Sequence, residues 1–216
     1  MKAQRLERIP TAKQRAAFYQ AISQEPVTDS VLYSQPHQRA RFARIKALLD
    51  VMLPLCASVL EIGPCEGKLT EVLVAGAPSV TAVEISEPCL ERAIARMGEH
   101  EVEWVLGDAV DVVDQFIADG RAFDLVVATS VLEHMPDPYA LMRGLGHLTS
   151  VVLASVPISE PVNPDAFNVE AYRKPKKAAD GTGHIWYFRP DTFRGLFSRV
   201  YHYQDDGISG IVVGEP

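Results

Sequence analysis

A doubly wound α/β sandwich is the fold this sequence predicts: a mostly parallel, seven-stranded sheet with helices on both faces and an antiparallel C-terminal hairpin. Three observations point to it. From residue 57 onward, short runs rich in Val, Leu and Ile alternate with helix-like segments. Those runs are nearly continuously apolar, as strands covered on both faces are, and strand–helix–strand alternation implies parallel strands with right-handed crossovers. Near the end the alternation gives way to two strand-like runs around Asp205-Asp206-Gly207, a hairpin signal.

In chain order, residues 11–25 are rich in good helix formers and predict a first helix. A polar stretch containing Pro26 follows. Over 36–53, Phe42, Ile45, Leu48, Leu49 and Met52 recur every three or four residues, which predicts a second helix closed by Pro54. The predicted strands are SVLEIG (58–63), SVTAVEI (79–85), VEWVLG (102–107), FDLVVATS (123–130) and VVLASVPI (151–158). Residues 159–188 form a long, Pro- and Gly-punctuated loop with a basic knot of Arg173, Lys174, Lys176 and Lys177; loops of that length in compact domains are commonly functional. Residues 189–197 read as a helix with Asp191 as N-cap, and SRVYHYQ and ISGIVVG as the closing strands.

With 216 residues, 47% of them hydrophobic and 23% charged, the chain suffices for one domain with a buried core. The net charge of −7 argues against a surface devoted to nucleic acid or anionic membrane. No apolar stretch approaches the roughly 20 residues needed to span a bilayer. The charged start MKAQRLERIP has no apolar region behind it and does not read as a secretory signal. Cys56, Cys65 and Cys89 are odd in number and lack C-x-x-C spacing, so they read as reduced thiols of a cytoplasmic protein.

The chemistry gathers at the strand ends. The first strand runs into Glu61-Ile62-Gly63-Pro64-Cys65-Glu66-Gly67, a glycine turn that lets a ligand approach backbone amides. The glycines are four apart and preceded by an acid, unlike a dinucleotide fingerprint; Glu61 would repel a pyrophosphate and suits a cationic ligand. Glu84 ends the second strand, 23 residues on, where a carboxylate can accept from both hydroxyls of a ribose or simply face solvent at a helix start. Asp108, after the third strand, could accept from an adenine amino group or cap the next helix. Three acids at three successive strand ends line the crevice where such sheets bind ligands.

VLEIGPCEGKLT, VTAVEIS, GDAV and FDLVVATSVLEHMPDP, in that order, resemble the motifs of class I S-adenosylmethionine-dependent methyltransferases. The resemblance covers about residues 36–158, with a weaker match in GHIWYFRPDTF. It implies a single methyltransferase domain over 1–216: helices in 1–53 over the cofactor, a cofactor-binding core in 54–158, an acceptor-side loop in 159–188, and a final helix and hairpin in 189–216. It implies S-adenosyl-L-methionine as cofactor and S-adenosyl-L-homocysteine as product. Glu61, Gly63 and Gly67 would surround the methionine portion. Glu84 would hold the ribose, with Ile85 against the adenine, and Asp108 and Ala109 would read the adenine edge. Thr129 would lie by the methionine amine or the sulfonium. On the N-terminal segment, Arg41 could pair with the cofactor carboxylate, with Tyr33 and His37 as further contacts. Cys65 replaces the family's usual middle glycine and reads as a buried, unreactive thiol, with no base beside it in sequence.

LEHMPDP resembles small-molecule O-methyltransferases such as those of ubiquinone biosynthesis, and lacks the Asn-Pro-Pro-Tyr-like segment of the ribosomal-RNA adenine dimethyltransferases. The expected activity is methylation of oxygen or nitrogen on a small, anionic metabolite by a monomer or homodimer. The alternatives are a non-catalytic adenosyl-binding interaction protein and an RNA-directed 2′-O-methyltransferase. His134 and His184 are the candidate general bases or acceptor contacts, with loop-pinning roles as the alternative. Relatives that present Glu-x-x-Glu-His to a divalent ion have a first Glu where this chain has Ser130. Glu133 and His134 alone make a thin site, so no required metal is expected.

Overall fold

The computed structural model describes residues 11–24, 35–158, 184, 186 and 188–216. Tyr33 and the basic knot at 173–177 lie outside them. Helix α1 (Ala12–Ile22) starts at a capping box, in which the Thr11 side chain accepts from the Gln14 N–H and Gln14 Oε1 accepts from the Thr11 N–H. Helix α2 (Pro36–Met52) has Pro36 at its first position, where no N–H is required, and runs into a 3₁₀ turn at Leu53–Leu55.

Strand and helix then alternate: β1 (Ser58–Ile62), α3 (Thr70–Gly76), β2 (Ser79–Glu84), α4 (Glu87–Met97), β3 (Glu103–Leu106), α5 (Ala109–Ala118) and β4 (Leu125–Thr129). A 3₁₀ turn (Leu132–His134), α6 (Pro138–Leu145), β5 (Val152–Pro157), α7 (Pro190–Arg194), β6 (Arg199–Asp205) and β7 (Ser209–Glu215) complete the order. The seven strands lie β3-β2-β1-β4-β5-β7-β6; the first five run parallel, and β7 is antiparallel to both β5 and β6. This is the predicted sheet, hairpin included.

The period-two alternation of a strand divides its apolar residues between two cores. In β4, Val126 and Ala128 join one cluster while Leu125 and Val127 join the other; in β7, Val212 faces the first, and Ile211 and Val213 the second. α5, α6 and α7 cover the first face through Val113, Phe116, Leu141, Leu145 and Phe193. Ile45 and Leu49 of α2 and Leu73 of α3 cover the second. Such two-sided burial explains the continuous Val, Leu and Ile runs of the inner strands.

Two expectations are corrected. β3 is an edge strand with exposed ends, not one covered on both faces, and only four residues of 102–107 pair. The helix expected over 189–197 spans only Pro190–Arg194, and its N-cap is Arg189. Pro190, with φ already set, takes the first helical position, so Asp191 falls inside the first turn and bridges to Arg194.

Candidate active site

Because the sheet order reverses direction between β1 and β4, the connections that leave these paired strands pass to opposite faces of the sheet and open a crevice at the switch point. A cavity of about 270 Å³ occupies that place. Ile62, Gly63 and Cys65 line it from β1, Glu84 to Ser86 from β2, Gly107 to Ala109 from β3, and Ser130, Val131, His134 and Met135 from β4. Arg15, Tyr19 and Ser23 of the α1 region close it.

The turn after β1 is built for close approach. Gly63 has φ +71°, and a Cβ there would stand 2.8 Å from Val131 Cγ2, so only glycine lets the β1 and β4 ends meet. Among the described residues, two that are not glycine adopt left-handed φ, Cys65 (52°) and Ser130 (55°), and both line the cavity. Backbone strain thus gathers at the crevice.

Three acids sit at or behind the wall. Glu84, 6% exposed, accepts from the Cys65 N–H (2.9 Å) and the Ser86 N–H (2.8 Å). Burial pushes its carboxyl up to about 7 against the lowering effect of these donors. Glu61 is also buried and raised to about 7, chiefly by desolvation, although Thr70 Oγ1 donates to it at 2.7 Å; the Glu84 charge raises it further. Asp108 caps α5 by accepting from the Val110 N–H, and takes a buried bridge from Arg15 with Nη2 at 2.6 Å and Nε at 2.8 Å. The capping role foreseen for Asp108 is therefore present, joined by a cation that holds α1 across the cavity.

On the β4 side, Glu133 is 1% exposed, and neither carboxylate oxygen has a hydrogen-bond partner among the described residues. Burial raises it to about 7, while the Arg41 charge lowers it. Next to it, His134 packs its ring against His184 (4.9 Å between centroids) and Tyr19 (5.8 Å). Trp186 brings His184 to this point: its backbone N–H donates to the Glu133 carbonyl (3.0 Å) and its Nε1 to the Met135 carbonyl (2.8 Å). One ligand atom from each of Glu133, His134 and His184 lies within 4.8 Å of the others. Two imidazoles and a carboxylate suit a divalent transition metal, and a buried carboxylate with both oxygens unpartnered fits such an ion. The sequence-based expectation of no required metal counted only Glu133 and His134; the third group comes from 50 residues away.

Gly63, Glu84, Ile85, Asp108, Ala109 and His134 thus form one wall system. Glu61, Gly67 and Thr129 are not part of the cavity's described lining, and Ser130 and Val131 occupy the wall beyond Thr129. Arg41 donates to Gln38 Oε1 (3.1 Å), and its charge acts on Glu133. His37 is half-buried on α2. Sequence reasoning missed Arg15, Tyr19 and Cys89. The first two are polar or amphipathic positions on an ordinary helix, with no local signal of their distant partners.

A protein-family model described as "Methyltransferase domain" matches residues 37–200. An uncharacterized methyltransferase of Mycobacterium tuberculosis is 34% identical over 105 residues, 48% of this chain and 51% of that protein. Nodulation protein S of Rhizobium tropici is 29% identical over 133 residues, 60% of this chain and 53% of that protein. The chain therefore spans about half the length of these curated relatives. Among solved structures, the N-methyltransferase NodS of Bradyrhizobium japonicum, in complex with S-adenosyl-L-homocysteine, superposes with a TM-score of 0.63 at 18% identity, over 92% of this chain and 97% of that one. With three quarters of its length inside the family model, and with the sheet and strand-end acids in the order its motifs foretold, this chain belongs to the methyltransferase domain family.

Proposed function

We propose that the protein transfers a methyl group from S-adenosyl-L-methionine to an oxygen of a small acceptor. The observation that carries the reading is the acidic crevice: buried Glu61 and Glu84 stand at adjacent strand ends beside a cavity at the switch point. S-adenosylmethionine supplies an electrophilic methyl on a sulfonium, and its two positive charges suit raised, desolvated carboxyls. Glu84 has its backbone donors on one side of each oxygen and lone pairs left for a ribose diol. Ile85 offers apolar contact to the adenine, and Asp108 reads its edge while shared with Arg15. α1 excludes water from above.

His134 lines the same cavity, which supports it as the group that takes a hydroxyl proton in this reading. The convergence of Glu133, His134 and His184 favours a metal-assisted alternative in which His134 is a ligand rather than the base: the three would hold a divalent ion, which would lower the pKa of an acceptor hydroxyl. Positive charge at Arg173, Lys174, Lys176 and Lys177 supports an anionic acceptor. Calorimetry with S-adenosylhomocysteine and NAD tests the cofactor: binding of the first and not the second is expected, and the reverse would overturn the reading. Cofactor binding without turnover across a broad acceptor panel would make the protein an adenosyl-binding module instead.

A further inference from the structure

Cys65 and Cys89 are 24 residues apart in the chain, yet their sulfurs lie 3.7 Å apart, and both line the cavity. Each has a feature that bears on reactivity. Cys89 is in the first turn of α4, an 11-residue helix capped by Ser86, where the helix dipole favours a thiolate; Arg92 stands one turn on, with Nη2 at 3.8 Å from the sulfur. Its thiol is held below the ordinary range, first by the hydrogen bond from Cys65, then by Ser23, Ser86 and the Arg92 charge. Cys65 is on the strained turn after β1 at φ 52°, and its own N–H is one of the two donors that fix Glu84. Cys56, the third cysteine, is remote from both: it donates to the Met52 carbonyl at the end of α2.

We propose that Cys65 and Cys89 are an oxidation site, forming a reversible disulfide that weakens cofactor binding. The oxidant is a hydroperoxide. The Cys89 thiolate attacks the distal peroxide oxygen, the O–O bond breaks and hydroxide leaves, giving a sulfenic acid. The Cys65 thiol then attacks that sulfur, an S–S bond forms, and the sulfenic oxygen departs as water with the thiol proton. Overall, two thiols lose two electrons and hydrogen peroxide becomes two waters. A disulfide needs its sulfurs about 2.05 Å apart, so closure moves them by well over an ångström from contact distance. Cys65 already holds a conformation that side chains resist, so its turn has little slack, and the shift is transmitted to the N–H that orients Glu84. Oxidation thus acts on the group that carries the ribose in the proposed function, and the affinity consequence rests on that reading. An occupied cavity shields both sulfurs, so the cofactor protects the pair.

The test treats the full chain with hydrogen peroxide, with and without S-adenosylhomocysteine, and reads peptide mass and calorimetric affinity. The expected result is a Cys65–Cys89 cross-link and an S-adenosylhomocysteine affinity at least tenfold weaker, both reversed by dithiothreitol and slowed by prior ligand. Cys56→Ser should keep the response. Cys89→Ser and Cys65→Gly should each bind equally before and after peroxide; the glycine variant relieves the strained φ and covers the case in which the first fails to fold. No cross-link at any peroxide concentration, or a cross-link with unchanged affinity, overturns the proposal. Failure of the untreated protein to bind S-adenosylhomocysteine refutes the cofactor reading and takes the affinity half with it, while the cross-link is scored independently by mass.

Discussion

Replacing Glu84 by Gln should weaken S-adenosylhomocysteine binding by about 10- to 150-fold, and the pH profile shows why. The substitution removes a charged acceptor from two ribose hydroxyls, and hydrogen bonds to charged groups contribute about 1.5–3 kcal/mol. One face of the amide also meets a backbone donor, because Glu84 Oε1 and Oε2 accept from Ser86 and Cys65 respectively. In the ligand-free protein Glu84 titrates at about 7, raised from 4.5 by burial. A diol that donates to the ionised form lowers this value, so binding releases a proton. Affinity should therefore rise as pH climbs toward 7, by up to about tenfold per unit, and level off above it. Stability runs the opposite way. The folded protein holds a proton that the unfolded chain has lost, so the ligand-free protein weakens as pH rises from about 4.5 through 7, by roughly 3 kcal/mol from this group. Isothermal titration from pH 5.5 to 8.5 on the native chain and Glu84→Gln measures both effects, with circular dichroism reporting the fold. In the variant the slope should shrink to what Glu61, also near 7, leaves behind. An unchanged dissociation constant in a folded variant, or a native profile flat across pH 7, would refute the argument.

The acceptor side should bind one equivalent of Mn²⁺, read by electron paramagnetic resonance; His184→Ala should abolish it and leave S-adenosylhomocysteine affinity in place, since His184 is outside the cavity wall. Absence of Mn²⁺ binding would leave His134 as a base working alone. Arg15→Met strands the buried Asp108 carboxylate, a loss worth about 3–5 kcal/mol if α1 stays docked. A lower melting temperature, faster proteolysis in residues 11–24 and weaker S-adenosylhomocysteine binding should follow; native-like behaviour in all three would show that the bridge does not hold α1. Neutralising Arg173, Lys174, Lys176 and Lys177 together should raise the acceptor KM and remove its salt dependence without changing cofactor affinity; an unaltered KM would end the case for an anionic acceptor.

Much of the architecture was legible because each signal is local. β1, β2, β4 and β5 are buried on both faces, which writes unbroken Val, Leu and Ile runs into the chain, and Asp205-Asp206-Gly207 marks the hairpin by turn chemistry alone. β3 misled because Trp104 and Val105 look like buried-strand residues, whereas edge position depends on what lies beyond the strand. The strand-end acids were legible for a similar reason: where a parallel strand stops is where the crevice must be, so Glu84 and Asp108 follow from strand boundaries. What joins distant parts was not. Nothing around residue 15 announces an ion pair 93 residues away, nothing in Glu133-His134 announces His184, and a spacing of 24 does not announce that two thiols touch. The Cys65 thiol is held above its ordinary range by the hydrogen bond with Cys89, burial and the Glu84 and Glu66 charges, so nothing activates Cys65 itself. What its sequence surroundings did not announce is its partner Cys89, whose activating groups, the α4 N-terminus and Arg92, come beside it through the β1–β2 pairing that lays the two strand ends side by side. A cysteine at a position that prefers glycine is tolerated there at a cost in backbone strain, and a chain that accepts such strain beside a second thiol in its cofactor cavity has the means to sense oxidants.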